Sequence, residues 1–140
     1  MDTLEILQQL NNHSITVQEA QNLLKMEPFE ELGYARVDYH RQIRTGVPEV
    51  IYCAGKTAQQ ISGIVQDMRK HGQEHILGTR CSRDKYEAVK EICPEMTFDE
   101  LSGIIRYQPR PFPPNNGMIM VACAGTSDLP VAREAALTAS

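Results

Sequence analysis

The first apolar positions of the chain recur at a helical spacing. Leu4, Leu7 and Leu10 follow one another at intervals of three residues, which predicts a short helix over residues 3–11 with the leucines on one face. A second helix is predicted directly after it. Residues 1–32 are therefore expected to form a small helical hairpin whose role is packing or assembly.

The start of the second helix is marked by Thr16 and Glu19, which have the spacing of a capping box. In such a box the side chain of each residue binds the backbone N–H of the other at the start of the helix. Pro28 follows the predicted end, because proline cannot continue a helix. The positions predicted to be buried along this helix are Val17, Ala20, Leu23 and Leu24.

The apolar periodicity disappears between residues 33 and 48, where charged side chains crowd together. Arg41 and Arg44 are three residues apart, so a helical turn would place both on one face, where they could bind a phosphate group. The alternative is a salt-bridged interface with the neighbouring carboxylates, and charge clusters are more often solvated or structural. The other members of the cluster are Arg36, Asp38, His40 and Glu49.

Strands and helices are predicted to alternate over residues 49–107. Residues 49–53 (EVIYC) and 75–79 (HILGT) are typical of strands, and a helix starts after each, near Thr57 and at Ser82. Such a βαβα unit predicts an α/β fold in which the two strands are parallel and joined by a right-handed crossover. The first of these helices has a stripe of positions expected to be buried, Ile61, Ile64, Val65 and Met68.

A proline-rich segment at residues 108–116 (QPRPFPPNN) follows this unit. We interpret it as a linker, so residues 1–107 are predicted to form an N-terminal domain. Residues 117–122 (GMIMVA) are continuously apolar, which predicts a strand buried on both faces. A turn and the start of a helix come next. Residues 117–140 are therefore predicted to begin a second parallel-sheet domain that is truncated in this chain.

The turn after the predicted strand carries the clearest chemical signal. Gly125 lets the backbone approach a ligand closely, and Thr126 and Ser127 add hydroxyl donors. Asp128 adds an acceptor for a hydroxyl or an amine. Because Pro130 favours a helix start here, the N–H groups of the turn would meet an anion at the positive end of the helix dipole. An ordinary helix cap is the alternative.

Lys56 and Arg80 are further candidates for contact with an anion. Gly55-Lys56-Thr57 resembles the end of a Walker A loop, but Val50 stands where the first glycine is required, which excludes that type of loop. A solvated lysine is the alternative at Lys56. Arg80 follows a predicted parallel strand, and ligands gather at the carboxyl ends of such strands. Nothing in the sequence lowers the pKa of Cys81 beside it, so we predict an inert thiol.

The composition narrows the functional classes. A net charge of −4 with no basic tail argues against nucleic acid as a partner. No apolar run approaches the roughly 18–20 residues that span a bilayer, and the N-terminus has no basic signal region. The four cysteines form neither a CxxC pair nor a Cys/His cluster, which predicts reduced thiols and no zinc site. These features predict a soluble cytoplasmic protein.

Several of these segments resemble parts of one known family. In chain order they are Asp38, Arg41, Arg44, Gly46 and Pro48-Glu49-Val50-Ile51, then Gly55-Lys56-Thr57 and Gln60-Ile61, then Thr79-Arg80, then Gly125-Thr126-Ser127-Asp128 and Leu129-Pro130-Val131-Ala132. Their order and spacing resemble LarB, the nickel-pincer-nucleotide biosynthesis family, whose catalytic domain is PurE-like. The resemblance runs from about residue 1 to residue 140.

The resemblance implies an enzyme that acts on nicotinic acid adenine dinucleotide. LarB-like proteins carboxylate the pyridine ring of this substrate at C5 with CO2, and they hydrolyse its phosphoanhydride, which releases AMP. The resemblance also implies that residue 117 begins a PurE-like (flavodoxin-like) domain and that the full-length protein assembles as a homo-octamer. No tightly bound cofactor and no metal ligand in this chain are expected, with Mg²⁺ as a candidate requirement of the reaction.

The family pattern assigns roles to residues of this chain. Gly125 to Asp128 match the Ser-x-Ser-Asp turn of PurE-like domains, which holds the ribose phosphate beside the CO2 site. The resemblance therefore implies that Ser127 and Asp128 are catalytic and bind the substrate, with Gly125 and Thr126 shaping the turn. The weaker candidates for the dinucleotide phosphates are Arg41, Arg44, Lys56 and Arg80.

Two departures from the family pattern matter. Cys53-Ala54 stands where a glycine and an acid are expected before Gly55. The nucleophilic cysteine that the family uses falls beyond residue 140, and Cys123 does not replace it, so this chain alone is predicted to be inactive. Two alternatives stay open: an aminoimidazole ribonucleotide carboxylase or mutase of purine biosynthesis, and a non-catalytic domain that binds a nucleotide or a partner. The long N-terminal part argues against the first, because a plain PurE-like protein starts at its first strand.

Overall fold

The structure is a computed structural model that describes residues 3–26, 29–39, 41, 47, 49–111 and 117–140. Its helices and its mixed sheet confirm the predicted α/β class. Within those ranges no helix is long and apolar enough to cross a bilayer. The elements are α1 (Thr3–Asn11), α2 (Val17–Met26), β1 (Phe29–Glu31), β2 (Arg36–Asp38), β3 (Val50–Tyr52), α3 (Ala58–Lys70), β4 (Ile76–Thr79), α4 (Arg83–Ile92), β5 (Thr97–Asp99), β6 (Ile104–Tyr107) and α5 (Leu129–Thr138).

The helical hairpin of α1 and α2 forms where it was predicted, but α1 buries a different face. Ile6 is buried at 3% exposure, whereas Leu4 and Leu7 are exposed at 60% and 48%. The three leucines share one face as predicted, but only Leu10 on that face is half-buried. Two short helices contact each other over a narrow area, and on α1 this area includes Ile6.

The start of α2 has the predicted capping box. The Thr16 N–H donates to Glu19 Oε2 at 2.8 Å, and the Glu19 N–H donates to Thr16 Oγ1 at 3.2 Å. The Thr16 N–H and the Thr16 hydroxyl, which both donate to Glu19 Oε2 at 2.8 Å, lower the pKa of the Glu19 carboxyl. Ala20 is buried as predicted, whereas Val17, in the first turn of α2, is 74% exposed. The other predicted core positions, Leu23 and Leu24, are half-buried.

Residues 29–38 form a β-hairpin that the sequence did not reveal. β1 pairs antiparallel with β2, with Phe29 opposite Asp38. Gly33 in the connecting turn has a φ of +78°, a conformation that glycine adopts without strain. Each strand is only three residues long and half or more charged, so no alternation of apolar and polar positions was visible. Val37 is nevertheless buried and belongs to the main core.

The main sheet has four strands in the order β3-β4-β6-β5. β3 and β4 are parallel, which confirms the predicted strand–helix–strand unit, and Ile51 lies opposite Gly78. β6 is antiparallel to β4, and β5 is antiparallel to β6. β5 and β6 were not predicted, because their residues do not alternate clearly between apolar and polar types.

This topology brings three turns to one side of the sheet. β3, β4 and β5 end there and β6 begins there, since Gly78 pairs with Ile105 and Asp99 pairs with Ile104. We call this side the loop edge, and it comprises residues 53–57, 80–85 and 99–103. Any ligand bound at the ends of the parallel strands would be met by side chains from these turns.

The core lies between the main sheet and the helices α3 and α4. The predicted stripe of α3 is confirmed, since each of its four side chains is buried. Burying a side chain of this size stabilises a fold by about 1.5–3 kcal/mol. Thr57 and Gln60 close a capping box at the start of α3, with bonds of 2.9 and 3.2 Å. The buried stripe consists of Ile61, Ile64, Val65 and Met68.

A polar cluster joins the β-hairpin to α3. The Tyr39 hydroxyl donates to Asp67 Oδ2, and the Tyr39 ring stacks on the His71 ring with their centroids 4.3 Å apart. Asp67 is 7% exposed, and His71 Nδ1 lies 2.9 Å from the Asp67 carbonyl oxygen. Because a buried carboxylate is stable only when it has hydrogen-bond partners, this cluster fixes the hairpin to the helix.

Residues 117–122 do not form the predicted buried strand. Met118, Ile119 and Met120 are 90%, 72% and 86% exposed, and no strand of the described chain pairs with this segment. A strand is held by hydrogen bonds to a neighbouring strand, so an apolar run without such a neighbour gains nothing from that conformation. Of the predicted linker, residues 112–116 lie outside the described residues.

Two ion pairs hold α5 against the loop edge. Arg133 Nη2 lies 3.1 Å from Asp99 Oδ1, and Arg80 Nε lies 2.8 Å from Glu134 Oε2. Asp99 Oδ2 also accepts hydrogen bonds from the N–H and the hydroxyl of Ser102, at 3.1 and 2.7 Å. The Ser102 hydroxyl and then Arg133 lower the pKa of the Asp99 carboxyl, and partial desolvation opposes them.

The contrast between two isoleucines predicts a difference in stability. Ile61→Ala removes a fully buried side chain and leaves a cavity, so we expect the free energy of unfolding to fall by about 2–5 kcal/mol. Ile119→Ala truncates a side chain that is 72% exposed, so the change should stay below about 0.5 kcal/mol. Urea denaturation followed by circular dichroism measures both. Similar losses in the two variants would contradict the exposed position of Ile119.

The contacts of Asp99 predict a pH-dependent contribution to stability. Because its pKa is lowered in the folded state, this contribution is complete above the ordinary aspartate pKa of about 4 and is lost as the pH falls through the lowered value. Asp99→Asn keeps the size and removes the charge, so we expect a loss of about 1 kcal/mol at pH 7.

Urea denaturation of wild type and Asp99→Asn between pH 7 and pH 3 tests this expectation. The two stabilities should converge as the pH falls, since protonation gives the wild type the same neutral side chain. A gap of constant size over the whole range would show that the charge of Asp99 does not stabilise the fold.

Candidate functional site

Two lysine side chains at the loop edge donate hydrogen bonds to uncharged backbone carbonyl groups. Lys56 Nζ donates to the Tyr52 carbonyl oxygen at 3.0 Å. Lys85 Nζ donates to the carbonyl oxygens of Cys53 and Ala54, at 2.9 and 3.3 Å. In the described part of the chain, neither ammonium group forms an ion pair with a carboxylate. Their positive charge is therefore available to an anion.

The helices add to this positive potential. α3 and α4 each follow a strand that ends at the loop edge, so the amino-terminal ends of both helices lie there. Ser82 occupies the N-cap position of α4 as predicted, but its side chain makes no capping hydrogen bond. The exposed N–H groups of a first turn carry partial positive charge, which favours an anion nearby.

Arg80 directly follows β4 at the loop edge. Its φ is +54°, and the Cys81 N–H behind it donates to the Gly103 carbonyl oxygen at 2.8 Å, so the chain turns towards β6 at this point. The guanidinium of Arg80 is paired with Glu134 at 2.8 Å. An anion would have to share Arg80 with Glu134 or displace it, which makes Arg80 a less available cation than Lys56 or Lys85.

The turn from Gly125 to Asp128 lies exposed at the start of α5. Gly125 has a φ of +87°, and residues 126–128 form a single 3₁₀ turn. Pro130 lies in the first turn of α5 as predicted, and Asp128 at the N-cap makes no side-chain capping bond. This helix start is open to an anion. The turn borders neither of the cavities described below, and its binding role stays a prediction.

Arg41 is placed next to Glu49 rather than at the loop edge. Arg41 Nη1 lies 3.8 Å from Glu49 Oε2, and Glu49 precedes β3, whereas the loop edge follows it. Both side chains are partly exposed, and such a pair contributes at most about 1 kcal/mol. Arg44 lies outside the described residues, so the structure does not describe the two arginines together.

Two cavities are formed by described residues, and Lys85 lines neither of them. The first has a volume of about 170 Å³ and lies between the β-hairpin, β3 and α3, with Glu49 and Lys56 in its wall. That volume is below the roughly 300–1,000 Å³ of small-molecule sites, so it cannot enclose a dinucleotide. The second, of about 350 Å³, is lined by Gly117, Ile119, Val121, Ala136, Ala139 and Ser140.

The inert character of the Cys81 thiol stays a prediction, although its surroundings influence its ionisation. A hydrogen bond with the Cys53 thiol lowers the pKa of Cys81, Lys85 acts in the same direction, and burial opposes them. The same contact, together with burial, raises the pKa of Cys53. Cys53, Cys81 and Lys85 are brought together by strand pairing and by the start of α4. No local motif in the sequence could have revealed this cluster.

Comparison with known proteins gives a family for this architecture. The family described as "LarB/PurE-like N-terminal domain" matches residues 29–110, more than half of the 140-residue chain. This range runs from β1 to beyond β6 and includes the whole loop edge.

The chain is also similar to a curated protein. The uncharacterized protein MJ0165 of Methanocaldococcus jannaschii is 26% identical over 140 residues, an alignment that covers 94% of this chain and 54% of the relative. The chain therefore spans about half the length of that relative. From the match over both sheets and the loop edge, we conclude that the chain belongs to the LarB/PurE-like N-terminal domain family.

Proposed function

We propose that this chain is the N-terminal part of an enzyme that carboxylates the pyridine ring of nicotinic acid adenine dinucleotide and hydrolyses its phosphoanhydride. Membership in the LarB/PurE-like family supports an enzyme of the carboxylase or mutase type. The observation that carries the proposal is the pair of loop-edge ammonium groups, Lys56 and Lys85, which are bound only to neutral carbonyls.

The charge of the substrate fits this pair. Nicotinic acid adenine dinucleotide carries negative charge on its two bridged phosphates and on the nicotinate carboxylate. Each lysine ammonium has three N–H donors, and Lys56 uses one of them on a carbonyl oxygen while Lys85 contacts two such oxygens. The remaining donors can bind phosphate oxygens, and the amino-terminal ends of α3 and α4 would strengthen that contact.

The turn from Gly125 to Asp128 is assigned to the ribose phosphate. Its N–H groups and the Ser127 hydroxyl would donate to phosphate oxygens, and Asp128 would accept a hydrogen bond from a ribose hydroxyl. The ion pair between Arg80 and Glu134 supports this assignment, because it ties the helix that follows the turn to the loop edge. In this proposal Arg80 then orients α5 and contributes only indirectly to the phosphates.

The reaction itself needs more than these residues. Carboxylation forms a carbon–carbon bond between CO2 and ring carbon C5, which loses its proton, and hydrolysis adds water across the phosphoanhydride to release AMP. The family resemblance assigns activation of the ring to a cysteine outside these 140 residues. We therefore assign the ring chemistry to a protein of the relative's length and substrate positioning to this chain. A homo-oligomer, octameric by the same resemblance, would complete the enclosure that a 170 Å³ cavity cannot provide.

Replacement of Lys56 tests the anion site. Lys56→Gln removes the ammonium charge, so we expect the dinucleotide to bind the 140-residue chain about 5- to 20-fold more weakly, which corresponds to about 1–2 kcal/mol for a charge-assisted hydrogen bond. Isothermal titration calorimetry measures the affinity. Raising the salt concentration should weaken wild-type binding in the same direction.

Lys70→Gln is the matched control. Lys70 is an exposed lysine in the last turn of α3, at the end of the helix opposite Lys56, so its loss should leave the affinity unchanged. Equal weakening by the two variants would show that binding depends on net charge rather than on the loop edge. Unchanged binding in Lys56→Gln would remove this lysine from the site.

The reaction is tested on the complete protein with nicotinic acid adenine dinucleotide and bicarbonate. We expect AMP to be released and the mononucleotide product to gain the mass of CO2. Carboxylation of aminoimidazole ribonucleotide in place of this reaction would favour the purine-pathway alternative. Dinucleotide binding without turnover of either substrate would favour a non-catalytic domain.

A further inference from the structure

The cavity of about 170 Å³ between the β-hairpin, β3 and α3 has a mixed wall. Three of its side chains carry polar groups, Tyr34, Glu49 and Lys56, and the rest of the wall is apolar. A cavity of about 150 Å³ in a protein core can hold benzene, so this one has room for a single flat ring system. The apolar part of the wall consists of Ala35, Val37, Val50, Ile51, Ile64 and Met68.

β3 contributes backbone groups as well as side chains to this cavity. It is an end strand of the main sheet, so in the described part of the chain only β4 pairs with it. The Cys53 N–H donates to the Thr79 carbonyl oxygen at 2.9 Å, and successive residues of a strand point their N–H and C=O groups to opposite sides. The N–H and C=O groups of Val50 therefore point away from β4, where they can serve a ligand as one donor and one acceptor.

Lys56 connects the cavity to the loop edge. Its side chain lines the cavity, and its Nζ donates to the Tyr52 carbonyl oxygen at 3.0 Å. Tyr52 is two residues after Val50, so its backbone groups also point away from β4, and the ammonium group lies on this open side of β3. A ring in the cavity would therefore have a positive charge beside it for an attached anionic group.

Tyr34 supplies an aromatic ring to one side of the cavity. Its hydroxyl reaches α3 at Gly63, where a Cβ atom would overlap the hydroxyl oxygen. Glycine inside a helix is less favourable than alanine, and here it makes room for the tyrosine. Because Tyr34 is 46% exposed, the cavity is open to solvent beside this ring. An aromatic side chain in this position offers a flat ligand a surface for stacking.

The polar groups of the wall favour an uncharged base that carries an amino group. Glu49 can accept a hydrogen bond from it, since the distance of 3.8 Å from Arg41 Nη1 to Glu49 Oε2 is beyond hydrogen-bond range. A ring that carries a carboxylate, such as the nicotinate of the dinucleotide, would be repelled by Glu49. Adenine has an amino group next to a ring nitrogen, so one edge of this base presents a donor beside an acceptor.

We propose that this cavity binds the adenine ring of an adenine nucleotide whose phosphate lies on Lys56. The amino group of the base donates to Glu49, its neighbouring ring nitrogen accepts from the Val50 N–H, and its face lies against Tyr34. The inference deepens the proposed function and rests on it for the identity of the ligand. In the dinucleotide, the AMP half is held here and the pyridine ring stays outside the cavity, available to the part of the protein that supplies the cysteine.

Titration calorimetry of the 140-residue chain with AMP, IMP and nicotinic acid mononucleotide tests the choice of base. All three ligands carry one 5′-phosphate and differ in the base. We expect AMP to bind about 10- to 100-fold more tightly than IMP, because hypoxanthine places an oxygen at Glu49 and an N–H group at the Val50 N–H. The nicotinate nucleotide should also bind more weakly than AMP. Equal affinities for the three nucleotides, or no binding of AMP, would overturn the proposal.

Glu49→Gln tests the contact with the amino group. The amide of glutamine can donate to the oxygen of hypoxanthine, so the preference for AMP over IMP should fall by about 10-fold. Glu74→Gln is the matched control, because Glu74 Oε1 also lies 3.8 Å from an arginine nitrogen, Arg110 Nη1, and Glu74 does not line the cavity. This control should keep the wild-type preference. A preference that survives Glu49→Gln unchanged would overturn the proposed recognition of the base.

Two variants of Tyr34 test the position of the ring. Tyr34→Ala removes the stacking surface and should weaken AMP binding about 5- to 100-fold, whereas Tyr34→Phe keeps the ring and should bind AMP as the wild type does. Circular dichroism shows whether each variant is folded, and the comparison of nucleotides on the wild type needs no variant. Unchanged affinity for AMP in a folded Tyr34→Ala variant would contradict the placement of the base in this cavity.

The complete protein separates this inference from the proposed function. Turnover of the dinucleotide by the complete protein, together with no preference for AMP in the 140-residue chain, would overturn the adenine site and leave the function in place. Selective binding of AMP without turnover would support the site and contradict the function.

Discussion

The parallel pairing of β3 with β4 is the constraint on which the rest of the described chain depends. Two parallel neighbours need a crossover, and α3 supplies it by packing its apolar stripe onto the sheet. The same pairing sends both strand ends to one side. Residues 53–57 and 80–85 lie at the same edge for this reason, although α3 separates them in the sequence. The chemistry of the loop edge is thus a consequence of strand direction.

The sequence predicted the parts of the fold that are long and periodic. α3 spans 13 residues and shows a clean helical stripe, and β3 and β4 are apolar runs followed by helix starts. The hairpin of β1 and β2 and the pair of β5 and β6 have strands of three or four residues, which are too short to show a period. The apolar run at residues 117–122 has the composition of a buried strand. A strand also needs a neighbouring strand for its backbone hydrogen bonds, and composition does not show whether there is one.

The candidate site was predicted to a smaller extent. Lys56 and Arg80 could be found because each stands next to a strand end, which is a local feature. Lys85 was missed because only the carbonyl oxygens that it binds, which are more than 30 residues away in the chain, bring it to the edge. Glu134 forms an ion pair with Arg80, which makes Arg80 less available to an anion. No rule based on sequence spacing links these two positions.

The hydrogen-bonded backbone of the sheet and the side chains suited to ligand binding lie in different parts of the fold. The ladder from β3 to β5 is held by backbone bonds, whereas the segments 53–57, 80–85 and 99–103 on one side hold the lysines, the thiols and the anchors of α5. Gly55 has no heavy atom within 4 Å of where a side chain would begin, and Leu101 is exposed. Positions such as Gly55 and Leu101 can therefore change while the ladder stays intact. Relatives that share this sheet can therefore bind different ligands through sequence changes confined to the loop edge.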